Sequence, residues 1–543
     1  MITREQWKPL RGSTPEPDQV LLTLKGEASS ERAVRWRTDP AVKTGYALFR
    51  EADTGAPYRR AEADRRVFRT DLDESAYYFA DLTGLRPDTV YEYTVGDDLR
   101  RAGPYRFRTA PETVRRFSFL CLSDFQTGGP EPPADYTEVG AFIKKTLALH
   151  PECDFILTGG DNTNCGQTDV QWTGLFNGLK GVGESVPVMF CMGNHDDMGF
   201  GNYFTGEDKY YSEHAEYFTE MLCGSYPKNG PPGWETANYA FTYGNAEFFI
   251  LGTSGYEEMN AWLEKRAGES RARWKIAAHH FPVCYAGPTT ENEDTWPALS
   301  GGMDLCSIVF SGHEHSFARS YPRRGDALFD TPAEGTVHYN LGSGSRNPPG
   351  THVIKKIWNA KTYEHEVYLS MYTVADIEGD VCTLTAYLED GRVVDRCVID
   401  LARNTVEPPD PAPVFRTPRL AFKGADLGVG CETTPPVKRG GVWYIPPGVA
   451  AACVGGAVER GPGRVRVELY GRFAEFREGS DEADSSLGAY KMAGPCFRGE
   501  RGQLYVPVED YCRPLRMHPL YFERNNFISL ESDTEQRPAP EQP

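Results

Sequence analysis

Phe117-Ser118-Phe119-Leu120-Cys121-Leu122-Ser123-Asp124 opens the stretch whose reading decides the fold. An apolar run ends on a polar Ser-Asp pair. The same arrangement returns at Phe155-Ile156-Leu157-Thr158-Gly159-Gly160-Asp161, and again where Val186–Cys191 leads into Gly193-Asn194-His195-Asp196. Between these runs lie segments of helical spacing, Tyr136–His150 and Trp172–Leu179. Strand–helix alternation with polar residues just past the strand ends predicts an α/β sandwich whose loops carry a site. Strands around Tyr368–Ala375, Val381–Glu389 and Val393–Leu401 close this block, which spans residues 115–402.

Working outward, residues 14–111 carry short alternating runs such as Ala33-Val34-Arg35-Trp36-Arg37 and Val90-Tyr91-Glu92-Tyr93-Thr94-Val95. Their regular spacing predicts an all-β sandwich of about 100 residues. The Leu82–Thr89 step before Tyr91 is similar to the loop of fibronectin type III-like domains. On the other side, residues 403–418 form a Pro-rich linker expected to stay extended. Residues 419–532 read as a β-rich domain with a weak duplication, Gly441–Pro447 resembling Gly502–Val508, and residues 533–543 as a disordered tail. The chain is thus expected to be multidomain: N-terminal all-β sandwich, central α/β sandwich, C-terminal β-rich domain.

The 543 residues carry a net charge of −19, which argues against a duplex nucleic-acid partner, since phosphate contacts need clustered Lys and Arg. No run approaches the ~18 apolar residues of a membrane span. The segment Met1–Lys8 lacks a signal-peptide apolar region, so the literal reading is cytoplasmic, or exported if a leader was removed. The 13 cysteines contain no CxxC pair and read as free thiols; in an exported protein Cys431, Cys453, Cys496 and Cys512 could pair.

Five short motifs fall in order within the central block: Ser123-Asp124-Phe125-Gln126, Gly160-Asp161-Asn162-Thr163-Asn164, Gly193-Asn194-His195-Asp196, Ala278-His279-His280-Phe281-Pro282 and Gly312-His313-Glu314-His315. Singly, each has a bland reading as a helix cap, a turn Asn or a core His. In sequence they supply what a pair of cations about 3.5–4 Å apart needs: a bridging carboxylate with N and O ligands on each side. Glycines before Asp161, Asn194 and His313 are expected to permit tight turns there.

This order resembles the calcineurin-like metallophosphoesterase superfamily, and with a fibronectin-like domain in front it is similar to purple acid phosphatases. The likeness extends through Asn238–Leu251 and Trp274–Pro282. It implies an αββα catalytic sandwich and two metal ions, divalent Mn, Zn or Fe. Asp124 and His315 would hold the first ion, Asp161 would bridge, and Asn194, His280 and His313 would hold the second. His280 is preferred to His279 because the family's ligand stands two before a Pro, here Pro282. His195 would be the catalytic acid, oriented by Asp196.

Two positions depart from the pattern: Asn164 stands where purple enzymes have Tyr, and Gln126 where other members have His. Each could offer the first metal a neutral oxygen, which favours a divalent ion over Fe(III). Arg319 and Arg346 follow the last motif and are candidates for substrate contact, with Met198–Thr236 and Cys284–Ala298 as pocket loops. The implied function is a phosphoesterase that hydrolyses small phosphate esters, foremost monoesters, by attack of a metal-bound hydroxide. A phosphodiesterase or nucleotidase is the nearest alternative, and a cell-envelope binding protein with a degraded site is the rival from another class. The third block is similar to the stalk-type copper amine oxidase N-terminal domain, which implies surface or cell-wall contact and no copper chemistry.

Overall fold

The structure, a computed structural model, describes residues 3–127, 134–198, 215–287, 295–346, 353–363, 369–428 and 434–532. The tail 533–543, Cys431 and parts of both expected pocket loops lie outside these residues.

The first block is a seven-stranded β-sandwich in the order Asp18–Thr23, Arg32–Thr38, Glu74–Leu82, Arg59–Arg69, Tyr46–Glu51, Val90–Gly96, Arg101–Arg108. The long strand Arg59–Arg69 turns the corner, pairing with Tyr46–Glu51 through its first residues and with Glu74–Leu82 through its last. Inside, Trp36 stacks on Tyr78 at 5.3 Å, beside Phe49, Tyr91 and Phe107. Strand side chains alternate between faces. Leu22 and Tyr78 therefore fill this core, while Leu21, Tyr77 and Phe79 enter a second core shared with the central block. Arg35 lies 4.2 Å from the Phe176 ring across that boundary. A helix the alternation gave no sign of, Arg4–Arg11, precedes the sandwich. It is short and contains Pro9, but Thr3 and Gln6 form a capping box, and buried Trp7 donates through Nε1 to Asp169 at 3.3 Å.

The central block stacks two seven-stranded sheets. In the first, Val188–Met189, Cys153–Thr158 and Arg116–Leu122 run parallel and Met371–Glu378, Val381–Leu388 and Val393–Asp400 continue antiparallel. In the second, Ala246–Leu251, Trp274–His279, Ile308–Ser311 and Val337–Leu341 are parallel. Phe119, Phe155, Phe248 and Phe310 lock the inner faces, with Phe119 stacked on Phe155 at 5.0 Å and edge-on to Phe248 at 5.3 Å. Helices Thr137–Leu149 and Asp169–Gly178 flank the first sheet, Tyr256–Glu269 and Thr295–Met303 the second, giving the αββα layering.

The Pro-rich segment makes contacts along its length. Thr405–Glu407 joins the first sheet as an edge strand, Tyr321 Oη donates to Asp410 at 3.2 Å, and the Ala412 N–H donates to Asp330 at 2.7 Å. A segment with such partners lies along the central block.

Among its described residues the third block holds three small sheets. Its duplicated strings are neighbours: Val442–Ile445 and Leu504–Pro507 pair antiparallel, and each leads into a short helix, Pro447–Cys453 and Val508–Cys512. The block is clasped to the central one. The Asn525 amide donates to the Leu328 and Pro413 carbonyls and accepts from the Leu328 N–H. Gly424, at φ +71°, lies under the Trp358 ring where a Cβ would come within 2.2 Å. Among the described residues no helix is long and apolar enough to cross a membrane, and Cys453, Cys496 and Cys512 are free thiols.

Candidate metal centre

Each candidate ligand follows the carboxyl end of a parallel strand: Asp124 after Arg116–Leu122, Asp161 after Cys153–Thr158, Asn194 after Val188–Met189, His280 after Trp274–His279, His313 after Ile308–Ser311. The backbone there is bent hard. Asp124, Asp161, His313 and His315 all have left-handed φ, between 50° and 69°. Such conformations cost about 1–3 kcal/mol each and persist only where surroundings enforce them.

The three glycines act in two ways. Gly160 has φ +100°, and a Cβ on it would come 2.5 Å from His280 Nδ1. Gly193 and Gly312 instead supply room: a Cβ would meet the Asp161 backbone at 2.2 Å or Ser123 Oγ at 1.9 Å.

The side chains gather as two groups that share one carboxylate. Asp161, His280 and His313 place ligand atoms within 4.8 Å of one another, and so do Asp124, Asp161 and His315. Asn194 Oδ1 completes the first group, 2.9 Å from His280 Nε2 and 3.0 Å from His313 Nδ1. The Gln126 amide nitrogen stands 3.2 Å from both Asp161 Oδ2 and His315 Nε2, in the second. The Gly159 carbonyl accepts from His280 Nδ1 at 2.9 Å, which fixes the tautomer and turns Nε2 inward. His279, one residue earlier on the alternating strand, turns to the helix side beside Tyr256; burial drives it down to about 3, so it stays neutral.

Asp124 and Asp161 are both fully buried. Two buried carboxylates are costly without positive charge beside them. Burial alone would lower His280, yet Asp161, Asp124 and the Gly159 carbonyl outweigh it and raise the imidazole to about 9. The pocket draws in positive charge, and its N and O donors suit divalent transition ions.

Two expectations need correction. Asp196 does not orient His195. Its carboxylate accepts from Gly193 N–H, Asn162 N–H and Nδ2, and Thr163 N–H and Oγ1, and so staples two ligand loops together. Its place as third residue of a tight helical turn explains this, because there a carboxylate folds back on free N–H groups. The His195 ring is oriented by the Asn164 carbonyl, which accepts from Nδ1 at 2.9 Å, so Asn164 enters the site through its main chain. Arg319 is buried and paired with Asp395 at 2.7 Å, leaving it no substrate contact. Arg346 is paired with Glu389 at 2.8 Å and lines a 460 Å³ cavity with Thr127, Ser345 and Lys145.

Sequence reasoning missed Ser343 and Ser345, whose hydroxyls donate to the Asp124 carbonyl at 2.8 and 3.1 Å. The signal was present: Gly342-Ser343-Gly344-Ser345 follows the parallel strand Val337–Leu341, as the other site loops follow theirs.

Asp197, next to this staple, accepts from Thr253 at 3.2 Å, and burial pushes it up to about 8. The folded state therefore favours the neutral acid, whereas the unfolded carboxyl ionises from about pH 4. Stability is complete below about pH 4 and declines as pH rises towards 8. Asp197→Asn should remove that decline. In metal-free protein it is expected to be more stable than the parent by about 2–5 kcal/mol at pH 9 and equal at pH 4. Urea unfolding at the two pH values measures this, and a constant difference would refute it.

Residues 117–317 match the calcineurin-like phosphoesterase family and residues 17–109 the purple acid phosphatase N-terminal domain. An uncharacterized protein of Mycobacterium tuberculosis is 25% identical over 397 residues, covering 62% of this chain and 71% of its own length. Purple acid phosphatase 15 of Arabidopsis thaliana is 26% identical over 282 residues, covering 44% of this chain and 48% of its own. A purple acid phosphatase from yellow lupin seeds shares the fold at a TM-score of 0.55 and 16% identity, covering 71% of this chain and 74% of its own. Neither family match reaches the third block, whose stalk-type likeness rests on its sequence alone. Residues 17–109 are thus a purple acid phosphatase N-terminal domain and residues 117–317 a calcineurin-like phosphoesterase domain, and the chain is a hydrolase of the metallophosphoesterase class.

Proposed function

We propose that the chain hydrolyses phosphate monoesters of small molecules at a dinuclear centre. The observation that carries this reading is the pair of ligand groups sharing Asp161. Asp124, Asp161 and His315 would hold one divalent ion, with the Gln126 amide nitrogen turned to Asp161 as a donor, and Asp161, Asn194, His280 and His313 the other. Bound there, the ions would supply Lewis-acid charge for the phosphoryl oxygens and a water of lowered pKa.

The chain's own residues do the rest. Asp161 stays ionised despite burial, because His280 and His195 stand beside it. Gly159 and Asn164 set the two imidazole orientations through carbonyl groups. The His195 Nδ1–H must donate to Asn164, so a proton on Nε2 makes the ring an imidazolium. Nε2 lies 3.9 Å from Asp161 Oδ2, at the rim of the centre, where it can protonate a departing oxygen.

Metal analysis of purified protein, with hydrolysis of aryl and alkyl monoesters and diesters in Mn²⁺, Zn²⁺ or Fe²⁺, tests the proposal. The expected result is about two equivalents per chain and faster turnover of monoesters. Diester preference would favour the phosphodiesterase reading. Protein that takes up no metal would favour a cell-envelope binding module.

A further inference from the structure

The third block carries a cavity of its own, which shares no wall residue with the metal centre. It measures 160 Å³ and lies where the hairpin of Ala457–Gly461 with Arg464–Leu469 meets the paired strands Phe497–Arg498 and Leu504–Pro507. Three arginines from these strands converge on it: Arg460, Arg464 and Arg498. Each guanidinium rests against a glycine of the wall. Arg460 Nη2 lies 3.1 Å from where a Cβ on Gly448 would stand, and Arg464 Nε 2.8 Å from where one on Gly461 would stand. Arg498 Nη1 donates to the Gly502 carbonyl at 2.6 Å.

The three are not equally committed. Glu475 and Glu459 take Nη1 and Nη2 of Arg464, at 2.9 and 2.8 Å, and Glu478 takes Nε of Arg498 at 2.6 Å. These carboxylates fix two forks in place and leave Arg464 Nε and Arg498 Nη2 as spare donors. Arg460 has no ion pair or hydrogen bond among the described residues, so its whole fork is available. Gln503, also in the wall, has a buried Oε1 with no donor facing it. A buried acceptor without a partner is costly, so the cavity asks for a hydroxyl as well as an anion. Residues 419–532 hold 15 Lys and Arg against 14 Asp and Glu, in a chain of net charge −19. This block therefore does not repel an anion as the rest of the chain does.

Size and charge narrow the ligand. At ~30 Å³ per water the cavity holds about five waters, well below the ~300–1,000 Å³ of sites for drug-sized molecules. Planar guanidinium forks match phosphate and carboxylate oxygens alike, but three cations suit the dianion of a phosphate better than a single negative charge. We propose that this cavity is a second, non-catalytic site that binds the phosphate group of a small molecule, with Arg460 as its free fork and Gln503 accepting from a hydroxyl of the same ligand. The site is independent of the dinuclear reading of the metal centre.

Isothermal titration of the full chain, freed of metal so that no ester is cleaved, tests this with glycerol phosphate, inorganic phosphate and glycerate. Both phosphates are expected to bind more tightly than glycerate. Glycerol phosphate ahead of inorganic phosphate assigns the site to an ester, and the reverse order assigns it to free phosphate. Arg460→Ala should weaken phosphate binding by about 10–100-fold, the worth of a charge-assisted hydrogen bond, with the thermal unfolding midpoint unchanged because no bond within the chain is lost. Gln503→Leu should weaken glycerol phosphate and leave inorganic phosphate as it was. A parent chain that binds neither phosphate, glycerate that binds as tightly as they do, or an Arg460→Ala variant of parental affinity overturns the proposal.

Discussion

Asp161→Ala is expected to reduce hydrolysis by about 10³-fold or more and to strip most of the bound metal. The size follows from the position. Asp161 belongs to both ligand groups, accepts from the His195 N–H at 2.8 Å and lies 3.3 Å from His280 Nε2. Its removal takes a ligand from both ions at once and frees the loop that carries His195. A centre worth several kcal/mol of transition-state charge stabilisation then contributes little. The flanking sandwich and third block should stay folded, because the cores that hold them do not include Asp161. Metal content and turnover, measured on a variant with parental far-UV circular dichroism, check the outcome. Near-normal turnover would sink the shared-ligand assignment.

His195→Ala carries the second large effect, of another kind. The side chain is absent from both ligand groups, so metal content should remain parental while the rate falls by about 10²–10⁴-fold, the range for a lost general acid. The loss should depend on the leaving group. An aryl oxygen departs with little protonation and an alkyl oxygen needs it, so aryl phosphates should suffer less. Equal losses across the two ester classes would leave His195 with phosphate contact only.

Much of this was legible in the residues because strand periodicity and loop chemistry coincide. Apolar runs that stop just before Asp124, Asp161 and Asn194 show where strands end and where the site loops begin. The choice of His280 over His279 came from the resemblance, through Pro282, and the structure turns the two rings to opposite sides. What was not legible depends on contacts between segments distant in the chain. Asp196 looks like a partner for His195 because the two are adjacent in sequence, but its donors come mostly from residues 162 and 163. Arg319 looked available until Asp395 was brought beside it across the block. The Pro-rich stretch reads as a spacer, since nothing local announces that Asp410 will meet Tyr321. Composition does not encode such partners.

The strand Asp18–Thr23 has no wet side: Leu22 belongs to one core and Leu21 to another. A one-residue insertion there would exchange the two leucines and spoil both cores in a single event. Substitutions in this strand answer to two domains at once, so its rate of change should be slow, and recombination at the boundary should yield misfolded progeny. The sandwich is therefore a poor candidate for shuffling into other genes without the catalytic partner. Descent should keep the pair together, and chimaeras that swap only the sandwich should need compensating changes along the Leu21 face.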